Sequence, residues 1–333
     1  MSRNHPYKNL LSTAYWDRAV SDRNFMSLSY LWDPGGLITE DTPAGTGGSC
    51  FAQYVTREFR SRGYRFVDTE PAPDFLDKED ELRYGYGIYS CRYGNIYTVQ
   101  QLLQLFKEAE GEFENTDPVW EKDNRYYDSS RPGVMPGGLS SRELVLDDRK
   151  KHLEKVSEMF RKIKVYIFTM GLTECWTELA TGMVFPTAPG VIAGKFDRGS
   201  YGFVNFRYDD TLRAFEEFRG RLKAVNPDAR IILTVSPVPL IATYNPEHVL
   251  VANTHSKSVL RSVAGDMDRK YSDVHYFPSF ELINSHAGRG MFYNPDLRTV
   301  NENGVRFVMD HFFGKCNTEL IDDAVLCDDE EMV

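Results

Sequence analysis

Ser49 is the residue whose setting in the sequence most favours chemistry. It follows Gly47 and Gly48 and precedes a stretch in which apolar residues recur at helical spacing, namely Phe51, Tyr54, Val55 and Phe59. This pattern predicts that the Ser49 hydroxyl lies at a helix N-terminus, where backbone N–H groups and the positive end of the helix dipole stabilise an oxyanion. Serine is also a preferred helix cap, so the segment alone leaves a catalytic and a capping role open.

The chain around this serine alternates between predicted strands and helices. Residues 165–168 and 231–235 are short apolar runs typical of buried strands, and amphipathic patterns predict helices at 99–108, 141–162, 209–225, 256–271 and 301–313. The alternation predicts an α/β fold in which a mostly parallel sheet has helices on both faces. Ligands of such sheets bind beyond the carboxyl ends of the strands, so the residues directly after each strand are the candidate site.

Residues 110–140 interrupt this alternation. They carry Trp120, Tyr126 and Tyr127 without a sustained period, and we expect them to form an inserted lid that folds over a pocket. With this insertion, residues 1–320 are predicted to form a single domain. The acidic residues that follow predict a solvated tail over 321–333.

The composition limits the classes of partner. A formal net charge of −10 argues against a general affinity for nucleic acid or anionic membranes. The sequence contains no apolar segment of membrane-spanning length and no apolar stretch of a signal peptide at its start, so we expect a cytoplasmic protein. Its five cysteines are scattered and odd in number, which favours reduced thiols. The spacing of the histidines, cysteines and acidic residues predicts neither a metal site nor a cofactor.

The string at residues 48–52, Gly-Ser-Cys-Phe-Ala, resembles the signature of the GSCFA family, a branch related to the SGNH (GDSL-like) hydrolases. Further blocks resemble that family in the same order along the chain, at residues 4–8, 92–98, 169–174, 236–239 and 276–279. The resemblance implies an SGNH-like doubly wound sheet and acyl transfer through an ester on Ser49. It also implies a small-molecule or carbohydrate substrate, and the aromatic rings of the insertion would suit stacking on sugar rings.

Two further blocks imply the oxyanion site. Gly94 and Asn95 resemble the second block of SGNH enzymes, whose glycine and asparagine assist the oxyanion hole. The third block departs from the pattern, because Gly-Leu-Thr-Glu from Gly171 to Glu174 stands where those enzymes have Gly-x-Asn-Asp. Asn95 or backbone N–H groups would then replace the missing amide, with Thr173 beside them. Both glycines also suit tight turns, and Glu174 suits a base-orienting, substrate-binding or capping role.

A serine nucleophile needs a base to accept its proton. SGNH enzymes place it in an Asp-x-x-His block before the final helix, but here the block that begins at Asp296 contains no histidine. We expect His248 to be the base, because its loop follows a central strand. His255 and His286 are the histidine alternatives, and Lys257 is a further one if burial removes its proton.

The other four histidines have surface interpretations in the sequence; they are His5, His152, His275 and His311. The expected function is serine-dependent acyl transfer, either hydrolysis of an O-acyl group or its transfer to a carbohydrate hydroxyl. The alternative is a carbohydrate-binding or assembly protein that retains the fold and has lost the base. The absence of a histidine from the Asp296 block favours this alternative.

Overall fold

The computed structural model describes residues 5–316. The chain forms two compact units, one from Leu37 to Phe277 and one from the segments on either side of it. The acidic tail predicted for residues 321–333 lies outside the described residues. That residues 1–320 act as a single domain stays a prediction.

The larger unit contains a parallel sheet of four strands in the order β1, β4, β8, β9. These strands are β1 (Ala44–Gly48), β4 (Val165–Met170), β8 (Arg230–Val235) and β9 (Val274–Tyr276), and each neighbouring pair is parallel. All six residues of β4 are buried, as expected for a central strand covered on both faces. The prediction of an α/β fold with a mostly parallel sheet is confirmed.

The helices of this unit connect or cover these strands. They are α1 (Ala52–Ser61), α2 (Lys78–Arg83), α3 (Val99–Ala109), α4 (Arg142–Lys162), α5 (Tyr208–Val225) and α6 (Val249–Lys270). Helix α1 packs against β1 and β4, whereas α6 packs against β8 and β9. Helix α6 begins seven residues before the position predicted from the sequence, so it includes both His255 and Lys257.

The insertion is built around an antiparallel hairpin of β2 (Val119–Lys122) and β3 (Arg125–Asp128). Trp120 and Tyr127 are only 3% and 8% exposed, respectively. Their rings belong to a hydrophobic cluster with Met183, Phe185 and Ala193. Core packing occupies the faces of these two rings, so the interpretation of Trp120 and Tyr127 as platforms for a sugar ring is corrected.

A second antiparallel sheet follows β4 and was not predicted from the sequence. It contains β5 (Glu174–Glu178), β6 (Val184–Phe185) and β7 (Tyr201–Asn205), with β5 in the centre. The ring of Trp176 on β5 packs edge-on against Phe203 on β7, with 5.8 Å between the ring centroids. This sheet therefore holds the chain directly after Thr173 in a fixed position.

The smaller unit contains α7 (Ser279–Asn284) and α8 (Glu302–Phe312). On α8, the Phe307 ring stacks on Phe292 with 4.8 Å between the centroids. His311 on the same helix is 2% exposed, and its ring nitrogens lie 2.8 and 3.0 Å from the carbonyl oxygens of Phe307 and Leu28. The surface interpretation of His311 is therefore wrong.

The glycines before Ser49 are explained by the close approach of β1 to β4. A Cβ atom at Gly47 would lie 2.2 Å from the Tyr166 hydroxyl, and one at Gly48 would lie 2.3 Å from the Thr169 carbonyl oxygen. Gly48 also has φ of +134°, a conformation that residues with a side chain rarely adopt. The Ser49 N–H then donates to the same Thr169 oxygen over 3.0 Å. This approach fixes the position of Ser49.

We predict that Gly48→Ala destabilises the protein by at least about 3 kcal/mol, because the new Cβ adds a backbone clash to an unfavourable φ. Gly63→Ala is the matched control: φ there is +75°, but nothing lies within 4 Å of the new Cβ. We expect the control to cost only about 1 kcal/mol. Urea unfolding of both variants measures the difference. Equal losses in the two variants would contradict this explanation.

Candidate functional site

Ser49 lies between the end of β1 and the first turn of α1. Its side chain is almost fully buried, with 3% of the residue exposed. The Ser49 carbonyl accepts a hydrogen bond from Ala52 N–H over 2.9 Å. Its Oγ has no hydrogen-bond partner in the described part of the chain, so the side chain does not cap the helix. A buried hydroxyl without a partner is costly for folding and is therefore typical of a functional position.

Gly171, the first residue after β4, packs directly on Ser49. A Cβ atom at this position would lie 3.0 Å from Ser49 Cβ and 3.1 Å from the Tyr97 carbonyl oxygen. The N–H groups of Gly171 and Leu172 both donate to that Tyr97 oxygen, over 2.9 and 3.1 Å. The N–H groups of Ser49 and Gly171 thus point at backbone carbonyls rather than at a place for an oxyanion.

Lys257 on α6 reaches the same glycine. The residue is 2% exposed, and its Nζ donates to the Gly171 carbonyl oxygen over 2.7 Å. The preceding residue, Ser256, accepts a hydrogen bond from Thr173 N–H over 3.0 Å. Two consecutive residues of α6 therefore hold the loop after β4, and Lys257 and Ser49 contact the same glycine.

Thr173 and Glu174 form hydrogen bonds with other segments of the chain. The Thr173 hydroxyl donates to Asn205 Oδ1 over 2.6 Å. The Glu174 carboxylate accepts hydrogen bonds from Thr243 Oγ1 over 2.7 Å and from Asn245 Nδ2 over 2.8 Å. Glu174 therefore holds the loop that precedes α6, and these contacts give it a positioning role.

Asn95 belongs to a network of tyrosines next to Ser49. The Tyr89 hydroxyl donates to Asn95 Oδ1 over 2.6 Å and lies 3.3 Å from the Ser49 carbonyl oxygen. Asn95 Nδ2 donates to the Tyr97 hydroxyl over 3.1 Å. This contact uses one of the two N–H donors of the amide. Gly94 has φ of +67° and turns the chain into this network.

A cavity of about 210 Å³ opens beside this network. Gln53, Tyr89, Asn95 and Tyr97 line it on the side of Ser49, and residues 131–134 of the insertion line it on another side. The segment expected to cover a pocket therefore does form part of a cavity wall. Tyr89 and Tyr97 were not predicted as site residues from the sequence, although Tyr97 lies in the block at residues 92–98.

A buried ionic network holds the insertion against α4. Arg131 donates from Nε to Asp128 over 2.9 Å and from Nη2 to Asp148 on α4 over 2.6 Å. Arg149 on α4 bonds to Asp128 over 2.8 Å and to Glu108 on α3. All of these charges are paired and all but that of Asp148 are buried, so removal of one buried partner would leave a costly unpaired charge. The network thus fixes the cavity wall.

His152 lies beside this network, with 1% of the residue exposed, so its surface interpretation is wrong. Its Nδ1 lies 2.7 Å from Glu70 Oε2. Burial lowers the pKa of His152 to about 4. Burial also acts to raise the pKa of Glu70, but the hydrogen bond with His152 and the charge of Arg131 outweigh it and lower that pKa below its usual range. At neutral pH the pair is a neutral imidazole that donates to a carboxylate.

The expected histidine bases occupy other settings. His248 is exposed, and its Nδ1 accepts the Leu250 N–H over 3.1 Å at the start of α6. His255 is exposed on α6. In the smaller unit, the ring of His286 stacks on Trp16 with 5.3 Å between the centroids. The structure therefore gives His248 a capping contact, and its role as a base stays a prediction.

Asp296 closes a turn in the smaller unit. Its carboxylate accepts the N–H groups of Arg298 and Thr299, each over 2.9 Å, and the Thr299 hydroxyl. These hydrogen bonds lower the pKa of Asp296, and the one from the Arg298 N–H has the largest effect. Thr299 lies three residues after Asp296, and its hydroxyl closes the turn.

The fold is that of an α/β protein with a parallel central sheet and a buried serine at the end of one strand. The sequence model of the GSCFA family matches residues 44–312, so the chain belongs to the GSCFA family. No curated protein matches the chain. A similar solved structure is the crystal structure of an acetyl esterase mutant with an acetate ion. Its chain is 11% identical in sequence to this one, and the TM-score of the match is 0.35. The match covers 82% of this chain and 95% of that one.

Within residues 5–316, no helix has the length and apolar character needed to cross a membrane. Over the same residues, no group of three or more histidine, cysteine, aspartate or glutamate side chains is arranged to hold a metal ion.

We predict that His152 makes the protein less stable as the pH falls from about 6.5 to about 4. In this window the unfolded histidine, with an ordinary pKa of about 6.5, binds a proton that the folded one does not. A difference of about 2.5 pH units corresponds to roughly 3 kcal/mol. His152→Gln should therefore show a shallower loss of unfolding free energy over this range. The control is His255→Gln, at an exposed histidine, and a slope unchanged by His152→Gln would contradict the explanation.

Proposed function

We propose that this protein transfers acyl groups through an ester on Ser49, as an O-acyl esterase or an O-acyltransferase. The observation that carries the proposal is the buried Ser49 hydroxyl, which has no hydrogen-bond partner among the described residues and packs on the glycine that Lys257 contacts. Membership of the GSCFA family supports the same chemistry. The substrate is an ester of a small molecule or carbohydrate.

We assign the role of general base to Lys257 rather than His248. Lys257 is buried and contacts Gly171, whereas His248 is exposed and accepts a backbone N–H. Desolvation in general favours the uncharged form of a lysine amine, which is the form that accepts a proton. A neutral lysine activates a serine hydroxyl in the same way as a histidine.

The reaction then has two half-steps. Lys257 takes the proton of the Ser49 hydroxyl while the serine oxygen bonds to the carbonyl carbon of the ester. This step forms a tetrahedral intermediate. The intermediate collapses with cleavage of the bond to the alcohol oxygen, and the lysine ammonium returns the proton to this leaving group. Water, or the hydroxyl of an acceptor, repeats the sequence to release the acyl group from Ser49.

The negative oxygen of the intermediate needs donors near Ser49. We assign this role to Asn95, because its amide lies in the network that reaches Ser49 and has a second N–H. The N-terminal turn of α1 adds the positive end of its dipole. Gly94 and Gly171 let the chain approach closely, and Thr173 positions Lys257 through Ser256.

The second candidate function is a non-catalytic carbohydrate-binding or assembly protein. Thr299 favours it, because this residue occupies the place of the SGNH histidine and closes a turn with Asp296. Such a protein would bind a ligand without forming an ester on Ser49.

We predict that Ser49→Ala lowers kcat/KM for an aryl acetate at least about a thousandfold, because the nucleophile is removed. Since the Ser49 Oγ makes no hydrogen bond with the described residues, the thermal midpoint should change little. The matched control is Cys50→Ala, which should retain activity. Full turnover in Ser49→Ala with loss in Cys50→Ala would assign the nucleophile to the thiol.

We predict that Lys257→Met lowers kcat about a hundredfold or more with little change in KM, since it removes the base and keeps the apolar stem. The residual rate of this variant should no longer increase with pH as the rate of the native enzyme does. His248→Ala, checked by thermal unfolding, should keep near-native kcat. The opposite result, a large loss in His248→Ala and an unchanged pH profile in Lys257→Met, would return the base to His248.

A further inference from the structure

The cavity beside Ser49 has a polar side and an apolar side. Gln53, Asn95 and the tyrosines form the polar side, next to Ser49. The rest of the wall contains the polar residues Arg83, Arg131 and Thr187 but is mostly apolar, with Leu82, Ile88, Pro132, Val134, Pro186 and Ile192. No carboxylate of the described residues lines this cavity.

Most polar side chains of the wall already have partners, either in the wall or elsewhere in the protein. Tyr89 and Tyr97 bond to Asn95, and Arg131 bonds to Asp128 and Asp148. A sugar ring brings many hydroxyls, and each needs a partner when it is buried. A hydrocarbon group needs none and gains free energy from leaving water. The cavity therefore favours an apolar ligand over a sugar ring.

We propose that this cavity binds the apolar group of the ester that Ser49 attacks, so the preferred substrates carry a hydrocarbon chain of several carbons. This inference rests on the proposed function. The ester carbonyl lies at the polar side, near Asn95 and Ser49, and the chain extends between Ile88 and Ile192. The chain belongs either to the acyl group or to the alcohol, and the two sources share the same chemistry.

The first experiment measures kcat/KM along two series of esters. One series holds a p-nitrophenol leaving group and lengthens the acyl chain from acetyl to octanoyl, and the other holds acetyl and lengthens the alcohol from ethyl to octyl. In one of the two series, we expect kcat/KM to rise about fourfold with each added methylene until the cavity is filled, because a buried methylene contributes about 0.8 kcal/mol. The series that rises identifies the source of the chain.

Ile192 offers a test of the cavity itself. It is half-buried and lies in the wall, whereas its neighbour Val191 is 65% exposed and is not part of the wall. In Ile192→Trp, kcat/KM should no longer rise with the chain length of the ester. In Val191→Trp, it should rise as in the native protein. If kcat/KM of the native protein did not change with chain length in either series, while turnover still required Ser49, the inference would be overturned and the proposed function would stand.

Binding to Ser49→Ala separates the inference from catalysis. The probes are methyl ketones from 2-butanone to 2-decanone, which cannot be hydrolysed. We expect the thermal midpoint of Ser49→Ala to rise with chain length, and to stop rising when Ile192→Trp is added. This result supports apolar binding even if the native protein turns over no ester. No dependence on chain length in Ser49→Ala would overturn the inference independently of the proposed function.

Discussion

The close approach of β1 and β4 is the constraint on which the candidate site depends. No side chain separates the two strands at their carboxyl ends, because Gly48 lies against Thr169 and Gly171 lies against Ser49. The Ser49 N–H then bonds to the Thr169 carbonyl. This arrangement buries the Ser49 hydroxyl and brings it to the glycine whose carbonyl Lys257 holds. A side chain at either glycine would force the strand ends apart.

A second constraint keeps the cavity in shape. The insertion shares the hydrophobic cluster around Trp120 with Met183, Phe185 and Ala193, and ion pairs attach it to α4. Arg131 sits at the junction, because its neighbours line the cavity while its guanidinium bonds to Asp128 and Asp148. Buried ion pairs contribute little net stability, but they fix geometry because alternatives leave charges unpaired. The part of the cavity wall that residues 131–134 form is thus held by electrostatics as well as by packing.

Local patterns predicted the two inner strands of the central sheet. The apolar runs at 165–168 and 231–235 lie within β4 and β8, because a buried parallel strand needs a continuous run of apolar residues. The position of Ser49 between a glycine-rich stretch and a helix was also predicted, and the structure shows it between β1 and α1. The antiparallel sheet of β5, β6 and β7 was missed, because its strands are short and depend on pairing with distant residues.

Burial of polar residues could not be predicted from local sequence. His152 and Lys257 both occur on helices where a solvated position is the usual one, yet each is buried through contacts with residues more than 80 positions away. The same limit applies to Trp120 and Tyr127, whose aromatic character suits a sugar platform as well as a core. The family resemblance located Ser49 and the loop after β4, but the base and the cavity depend on tertiary contacts.

If the Ser49 oxygen forms an ester with the acyl group, a reagent that reacts covalently with activated serines should label it. The native protein would be treated with a fluorophosphonate, and the adduct located by tandem mass spectrometry of its peptides. We expect one adduct per chain, on Ser49, and none in the Ser49→Ala protein. An adduct on Cys50 or on another residue, or no adduct at all in folded native protein, would contradict it.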